Sequence, residues 1–219
     1  MPHCEAAVEW LTVDCGKLSA RPAVSRFQGS GGVSECHVTV QLAENTADPA
    51  ATLERAWRHA LSSAGIHPDS TVFRRIFCSD VANQSPALRE RLVSRAGAVS
   101  VIGQTPLPPA KLALWSQHLI DPAALLDMTR GATSCACRRG ALTHHWITDL
   151  TDPSDACSAS QTRGVLNQHE AWLAANGMTL AENVVRTWWF VRNIDADYQG
   201  LVDARREYFS AHGLTRSEE

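Results

Sequence analysis

Two arginines bracket an aromatic run in NVVRTWWFVRNID, residues 183–195. A guanidinium presents a planar fork of donors that grips a carboxylate through two parallel hydrogen bonds, and an indole presents a flat apolar face. Side chains on a strand alternate, so Arg186, Trp188, Phe190 and Arg192 share one side, and Thr187, Trp189 and Val191 share the other. Arg186 beside Trp188 suits two roles. It could hold a planar anionic ligand by stacking and charge, or it could anchor a contact with a neighbouring unit. Arg205, in RREYF (205–209), lies on a helical stretch from which it could reach such a cleft, whereas Arg206 and Glu207 suit a solvated face.

A second cluster of reactive side chains lies in CACRRG and the following His144-His145. Cys135 and Cys137 would face the same side of a strand. C-x-C followed by paired histidines lacks the knuckle spacing of structural zinc sites, so no metal is assigned. Alternation puts His144 with Trp146 on one face and His145 with Ile147 on the other. Trp146 therefore joins Arg186, Trp188 and Arg205 as the ligand-binding candidates, with no catalytic residue assigned. The glycines of QGSGGV (28–33) precede a strand rather than a helix and read as a loop. No G-x-S-x-G, P-loop or dinucleotide fingerprint occurs, and no cofactor is expected.

The elements that must position these residues are written twice. LSSAGIHPDSTVFRRIF starts at Leu61 and LAANGMTLAENVVRTWW at Leu173, so Gly65, Val72 and Arg74 match Gly177, Val184 and Arg186, each 112 positions on. In the first copy, Leu53, Ala56, Trp57, Ala60, Leu61 and Ala64 recur at helical spacing and Gly65 closes the helix. TVFRRIFCS follows as a strand. SPALRERLVSRAG then opens with a cap serine and first-turn proline and ends at Gly97, giving a second helix. In VSECHVTVQL (33–42), Ser34, Cys36, Val38, Val40 and Leu42 alternate with Glu35, His37, Thr39 and Gln41, the mark of a half-buried strand. AVSVIG and AKLALWSQHL supply the last two strands, so the unit reads β-β-α-β-α-β-β, a sheet with helices on one face. The second copy opens with a hairpin, ATSCACRRGALTHHWITDL, turning near Arg139-Gly140. It continues as a helix to Asn176, a strand over 183–192 and a helix over about 198–212 that ends at Gly213. It lacks the last two strands, and the sheet edge left open needs cover from another subunit, another chain or further residues. The domain boundary is placed between 1–121 and 122–219, in an α+β fold of two tandem units.

Composition narrows the partners. The 219 residues are 44% apolar, with 20 Lys+Arg against 23 Asp+Glu and a formal net charge of −3, which provides no general field for nucleic acid. PHCEAAVEW lacks the basic start and apolar run of a secretory signal, and no stretch approaches the roughly 18 apolar residues of a membrane span. The reading is a soluble, cytoplasmic protein with no membrane partner. The seven cysteines (4, 15, 36, 78, 135, 137 and 157) are an odd count among apolar neighbours, which suits reduced core thiols.

The repeat, with glycine closing the helix and NVVRTWWFVRNIDADYQGLVDARREYFSAHGL after it, resembles the Rid family, the RidA, YjgF and L-PSP proteins. IFCSDVANQ, SVIGQTPLPPAKLALW and VVRTWWFVRNIDADYQGLVDARREYF are similar, in that order, to segments of its tandem-domain members, and the likeness covers nearly the whole chain. The layout is also similar to chorismatases, in which an RTWNY-like strand sits where Arg186-Thr187-Trp188-Trp189-Phe190 does. The resemblance implies chorismate-mutase-like units in trimers or pseudotrimers, with sheets forming an inner barrel, helices outside and clefts between adjacent units that hold a small planar or anionic metabolite. Either imine and enamine deamination or hydrolysis of an enol ether is implied as chemistry, with a non-catalytic binding module as the third reading. In deaminating members an arginine early in the strand after the second helix holds the substrate carboxylate. Its counterpart here falls near Val99, with Arg95 out of register and Arg216 near the end of the second copy. The family's Ser-Gly corresponds to Thr148-Asp149, whereas Gln161-Thr162 matches the family's Gln-Thr at the helix start. Tandem members continue beyond GLT into a further unit, so the chain resembles an N-terminal portion that works as a homo-oligomer or within a longer polypeptide.

Overall fold

The computed structural model describes residues 8–16, 18–29, 31–43, 46–93, 97–154 and 157–214. By contact they form two compact units, 1–149 and 150–219. The three strands between 127 and 147 thus lie in the first compact unit, whereas the sequence pattern leads to an expected boundary at 121/122.

The first unit is an α+β layer. Its strands are β1 (Val8–Leu11), β2 (Ala20–Gln28), β3 (Ser34–Leu42), β4 (Thr71–Cys78), β5 (Ala98–Ile102) and β6 (Leu112–Ile120), joined by helices α1 (Pro49–Ser63) and α2 (Val81–Leu92). The sheet order is β1-β2-β3-β6-β4-β5, with β4 and β5 parallel and every other pair antiparallel. β1 is one strand more than the sequence indicates, a short edge paired to β2. The alternation in β3 is realised in full. Ser34, Cys36, Val38, Val40 and Leu42 are buried against the helices, and Glu35, His37, Thr39 and Gln41 line the opposite face. From α1, Leu53, Ala56, Trp57, Ala60 and Leu61 fill the same core, joined by Leu88 and Leu92 of α2, so both helices cover one face.

α1 ends in a left-handed glycine, Gly65 at φ +64°, with the Ile66 amide donating back to the Leu61 carbonyl. α2 begins a turn earlier than expected. Asp80, not Ser85, is the cap: its carboxylate accepts from the Asn83 amide while Gln84 Oε1 accepts from the Asp80 amide. This reciprocal pair satisfies donors that Ser85 would leave open, and Pro86 falls inside the helix.

A smaller antiparallel sheet, β7 (Asp127–Arg130), β8 (Ser134–Arg139) and β9 (Leu142–Ile147), turns at Gly140 as the hairpin pattern indicates. It packs onto the far end of the first sheet through Val72, Phe73, Ala98 and Cys135, with Trp115, Met128 and Trp146 partly buried around them. Thr148 donates to the Val99 carbonyl and Arg139 to the Gly31 carbonyl.

In the second unit, α3 (Ser158–Ala175) and α5 (Ile194–Ala211) pack together, with a single turn, α4 (Leu180–Asn183), between them. The cap of α3 repeats that of α1: Gly177 has φ +68° and the Met178 amide donates to the Leu173 carbonyl. The expected strand over 183–192 is not a strand. Residues 184–191 form no regular element and Arg192 lies in a bend, and none joins a ladder, because a strand exists only where a neighbour takes up its amides and carbonyls. In the first unit β5 and β6 do this for β4, and the described residues of the second unit contain no strand. α5 starts four residues earlier than expected, after Asn193 in a left-handed conformation, with Asp195 and Asp197 in its first turn, where acidic groups favour a helix start.

One buried polar chain crosses the first core. Trp57 Nε1 donates to Ser116 Oγ, whose own proton goes to His118 Nε2. His118 Nδ1 must then carry the ring proton, directed at Ser70 Oγ and Thr71 Oγ1, which spend their protons on the His67 and Pro68 carbonyls. His118 is thus a fully satisfied neutral imidazole. Burial, aided by Arg74 and His37, pushes its pKa down to about 3, against about 6.5 for an unfolded histidine. Between these values the unfolded chain binds the extra proton, so this stabilisation is complete above about pH 6.5 and is lost as the pH falls toward about 3, at up to about 1.4 kcal/mol per pH unit. Urea unfolding at pH 7 and pH 5 checks this: the stability lost on acidification should shrink in His118→Asn, and equal losses in both proteins would show that His118 is not held neutral.

Candidate functional site

The sheet face away from the helices carries a connected polar and aromatic set. Cross-strand register aligns His37 with Gln117 and Phe73, and Thr39 with Trp115 and Arg75. Glu35 accepts from His37 Nε2 at 2.8 Å and from Gln117 Nε2 at 2.6 Å, while Trp115 Nε1 donates to His37 Nδ1 at 3.1 Å. An indole N–H can only donate, so His37 is the tautomer protonated on Nε2. The His37 bond leads, with Gln117 assisting, in holding the Glu35 carboxyl below its ordinary pKa. Arg75 lies with its guanidinium carbon 5.1 Å from both the Phe73 and Trp115 ring centres, and burial brings its pKa down to about 10. Beside this set a cleft of about 280 Å³ opens between Thr39, Gln41, Phe77, Trp115 and the loop from Gln104 to Leu107. An aromatic floor with amide and hydroxyl walls fits a small flat molecule with hydrogen-bonding edges. The signal for these residues was in the sequence, since Glu35, His37, Thr39 and Gln41 are the polar partners of the β3 alternation. What alternation could not show is that β6 brings Trp115 and Gln117 beside them.

The sequence candidates divide between the two units. Trp146, in the first unit, is partly buried against Phe73 and Cys135, with His144 edge-on to it at 5.9 Å. Arg186, Trp188 and Arg205 belong to the second. There the guanidinium carbon of Arg186 lies 5.5 Å from the Trp188 ring centre, and Trp188 is 50% exposed. The alternation persists without a sheet: Arg186, Trp188, Phe190 and Arg192 are exposed, while Thr187, Trp189 and Val191 are half-buried. Trp189 Nε1 donates to Thr187 Oγ1 on that inner side. Arg205 is half-buried on α5.

The positions implied by resemblance have structural occupations. Val99 is buried against the helices. Thr148 hydrogen-bonds the Val99 and Thr133 carbonyls, and Asp149 pairs with Arg89. Thr162 is buried in α3, and Gln161 donates to the Ser154 carbonyl. Arg95 and Arg216 lie outside the described residues. Among the described residues no group of three His, Cys, Asp or Glu side chains could hold a metal ion, and no helix is long and apolar enough to cross a membrane.

A further set joins residues about forty positions apart, a separation that no local sequence pattern marks. Glu170 on α3 accepts from the Tyr208 hydroxyl and from His212 Nε2, and His212 Nδ1 faces the Tyr208 carbonyl. Both ring nitrogens meet acceptors, so the arrangement selects the imidazolium. The Tyr208 carbonyl and Glu170 raise the His212 pKa, and Tyr208 and His212 lower that of Glu170.

No protein-family model matches the sequence, and no curated protein matches it. In structure, the chain is similar to a "putative translation initiation inhibitor" from Salmonella typhimurium, at 13% identity and a TM-score of 0.36, over 52% of this chain and all of that one. It is also similar to Rv2704 from Mycobacterium tuberculosis, a member of the YjgF/YER057c/UK114 family, at 16% identity and a TM-score of 0.31, over 51% of this chain and all of that one. Both scores lie below 0.5, where a likeness carries no weight by itself. The molecule's own topology places it among α+β proteins built from a mixed sheet with helices on one face.

The cysteines differ in reactivity. Cys157 is exposed at the start of α3, where the Ser160 side chain and amide lower its pKa. Burial raises the thiols of Cys15, Cys78, Cys135 and Cys137. Since the thiolate is the nucleophile, brief iodoacetamide treatment of the folded protein followed by peptide mapping should label Cys157 at least tenfold faster than these four; comparable labelling of Cys135 would refute the ordering.

Proposed function

We propose that this is a Rid-like protein that binds a small planar or anionic metabolite of the imine or enamine type in a cleft between units, and that binding rather than turnover is its principal activity. The observation that carries this reading is the Arg186–Trp188 pair, an exposed guanidinium lying over an exposed indole. Arg186 makes no hydrogen bond or ion pair among the described residues, so its fork remains available to a ligand carboxylate. Support for the Rid-like part comes from the first unit, whose mixed sheet carries both helices on one face, and from the identical caps of α1 and α3 at positions 112 residues apart. These favour two tandem units, 1–121 and 122–219. Trp146 and Arg205 are put forward as further ligand-binding residues, with trimer-like association of copies or further chain as the partner. The protein is taken to be cytoplasmic.

Binding is preferred to catalysis because Val99, Thr148 and Asp149, at the positions the deaminases use, have structural roles. The chorismatase-like reading, hydrolysis of an enol ether, rests on the Arg186-Thr187-Trp188-Trp189-Phe190 segment and is the alternative.

Melting curves and turnover assays with 2-iminobutyrate and with chorismate separate these readings. A saturable rise in melting temperature with one of them, lost in Arg186→Ala and without turnover, is the expected result. Turnover abolished by the same substitution would replace binding by catalysis. No shift and no turnover with either compound would remove the ligand assignment.

A further inference from the structure

The helix-covered side of the first sheet holds a buried charge that no group among the described residues meets with a hydrogen bond. Arg74 on β4 is 7% exposed. Its guanidinium carbon lies 4.7 Å from the Trp57 ring centre, and its Nε is sealed from solvent without a hydrogen bond. Among the described residues nothing accepts from Arg74, which leaves the Nη fork as the end that can meet a ligand. The carboxylate it senses most, Glu54, is engaged by Arg58, which donates to Glu54 Oε1 from Nε at 3.0 Å and Nη2 at 2.9 Å. Arg58 also approaches the Trp57 ring, at 6.0 Å. Burial, with Arg58 and Arg130 adding repulsion, lowers the Arg74 pKa only to about 10. The side chain is therefore cationic at neutral pH, in a place where an uncompensated charge is costly.

We propose that Arg74 and Arg58, set against the Trp57 indole, form a binding site for a small oxyanion bearing a phosphate or carboxylate group. The chemistry follows from the parts. A planar guanidinium meets two oxygens of one anion in parallel, and the indole limits competing hydration on one side. Glu54, held by Arg58, would repel a polyanion and so favours a compact anion of low charge. The site lies on the face of the sheet opposite the Trp115 cleft and in a different unit from the Arg186–Trp188 pair. It therefore stands apart from the metabolite reading.

The test is a melting series of the whole chain in sodium phosphate and in sodium acetate, each against sodium chloride at matched ionic strength. Wild type should gain a saturable rise in melting temperature with phosphate or acetate that chloride does not reproduce, and the more effective anion identifies the group recognised. Arg74→Met should abolish that rise. In chloride alone it should melt no lower than wild type, because it removes a buried charge that lacks a hydrogen bond. Arg58→Gln should move the half-saturating concentration at least fivefold upward, and Arg138→Gln, at an exposed ion pair with Asp127, should leave it unchanged. Absence of a saturable rise in wild type, or an equal rise in Arg74→Met, overturns the proposal. If Arg74→Met does not fold, Arg58→Gln decides: the fivefold shift upholds the site, and a midpoint equal to wild type overturns it.

Discussion

The placement of β6 is the constraint on which the first unit depends. It is the last strand of its sheet in sequence, yet it lies at the centre, paired antiparallel to β3 on one side and β4 on the other. Until β6 arrives, β1-β2-β3 and β4-β5 are two separate ribbons with unpaired inner edges, and a two-stranded piece such as β4-β5 is marginal in water by itself. Its docking joins residues far apart in the chain, such as Ser34 with Ile120, so the closure that completes the sheet is also the costliest in chain entropy. The same strand completes both faces. Leu112, Leu114, Ser116 and His118 enter the helix-covered core, while Ala113, Trp115 and Gln117 supply the opposite surface.

The two faces have opposite chemical characters for a physical reason. The helix side is closed by α1 and α2, and the Trp57–Ser116–His118 chain is paired throughout there, whereas Arg74 Nε is sealed in without a hydrogen bond. The other side is only partly covered by the β7–β9 sheet, around Phe73, Ala98 and Cys135, and can retain Glu35, His37, Gln117 and Arg75. His37 illustrates the cost of such a surface. With Trp115 donating to one ring nitrogen and Glu35 accepting from the other, its tautomer is selected and Trp115 is held at the wall of the cleft. A side chain that positions an aromatic wall in this way does as much for recognition as one that touches the ligand.

What could be read from the sequence was whatever depends on neighbours close along the chain. The β3 alternation, the helical face of α1 and the glycine that closes it at Gly65, and the hairpin at Gly140 were all legible, because local pattern and final environment agree there. Local pattern and final environment disagree elsewhere. Ser85-Pro86 carries the signature of a helix start, but Asp80 and Gln84 form the cap together one turn earlier. The run from Asn183 to Arg192 has strand composition, but composition supplies no ladder partner. The site was less legible than the fold, since the Glu35–Gln117 and Glu170–His212 pairs join residues that only tertiary structure brings together.

Arg74 and Arg186 show how strongly environment reassigns a residue. They occupy the same place in the repeat, and each sets its guanidinium over an indole, Trp57 for one and Trp188 for the other. In the first copy the indole comes from α1, the arginine belongs to a strand fixed on both edges, and the sheet and helix close over the pair. In the second copy the helix position that would supply Trp57 carries His169, and the stacking partner is instead the next side chain on the same side of its own segment. That pairing requires no helix and no sheet, so it survives where the ladder does not and leaves the guanidinium in solvent. Desolvation separates the two: it lowers the pKa of Arg74 to about 10 and raises the value of any anion that reaches it. At Arg186 water already answers the charge, and a ligand must displace that water to bind.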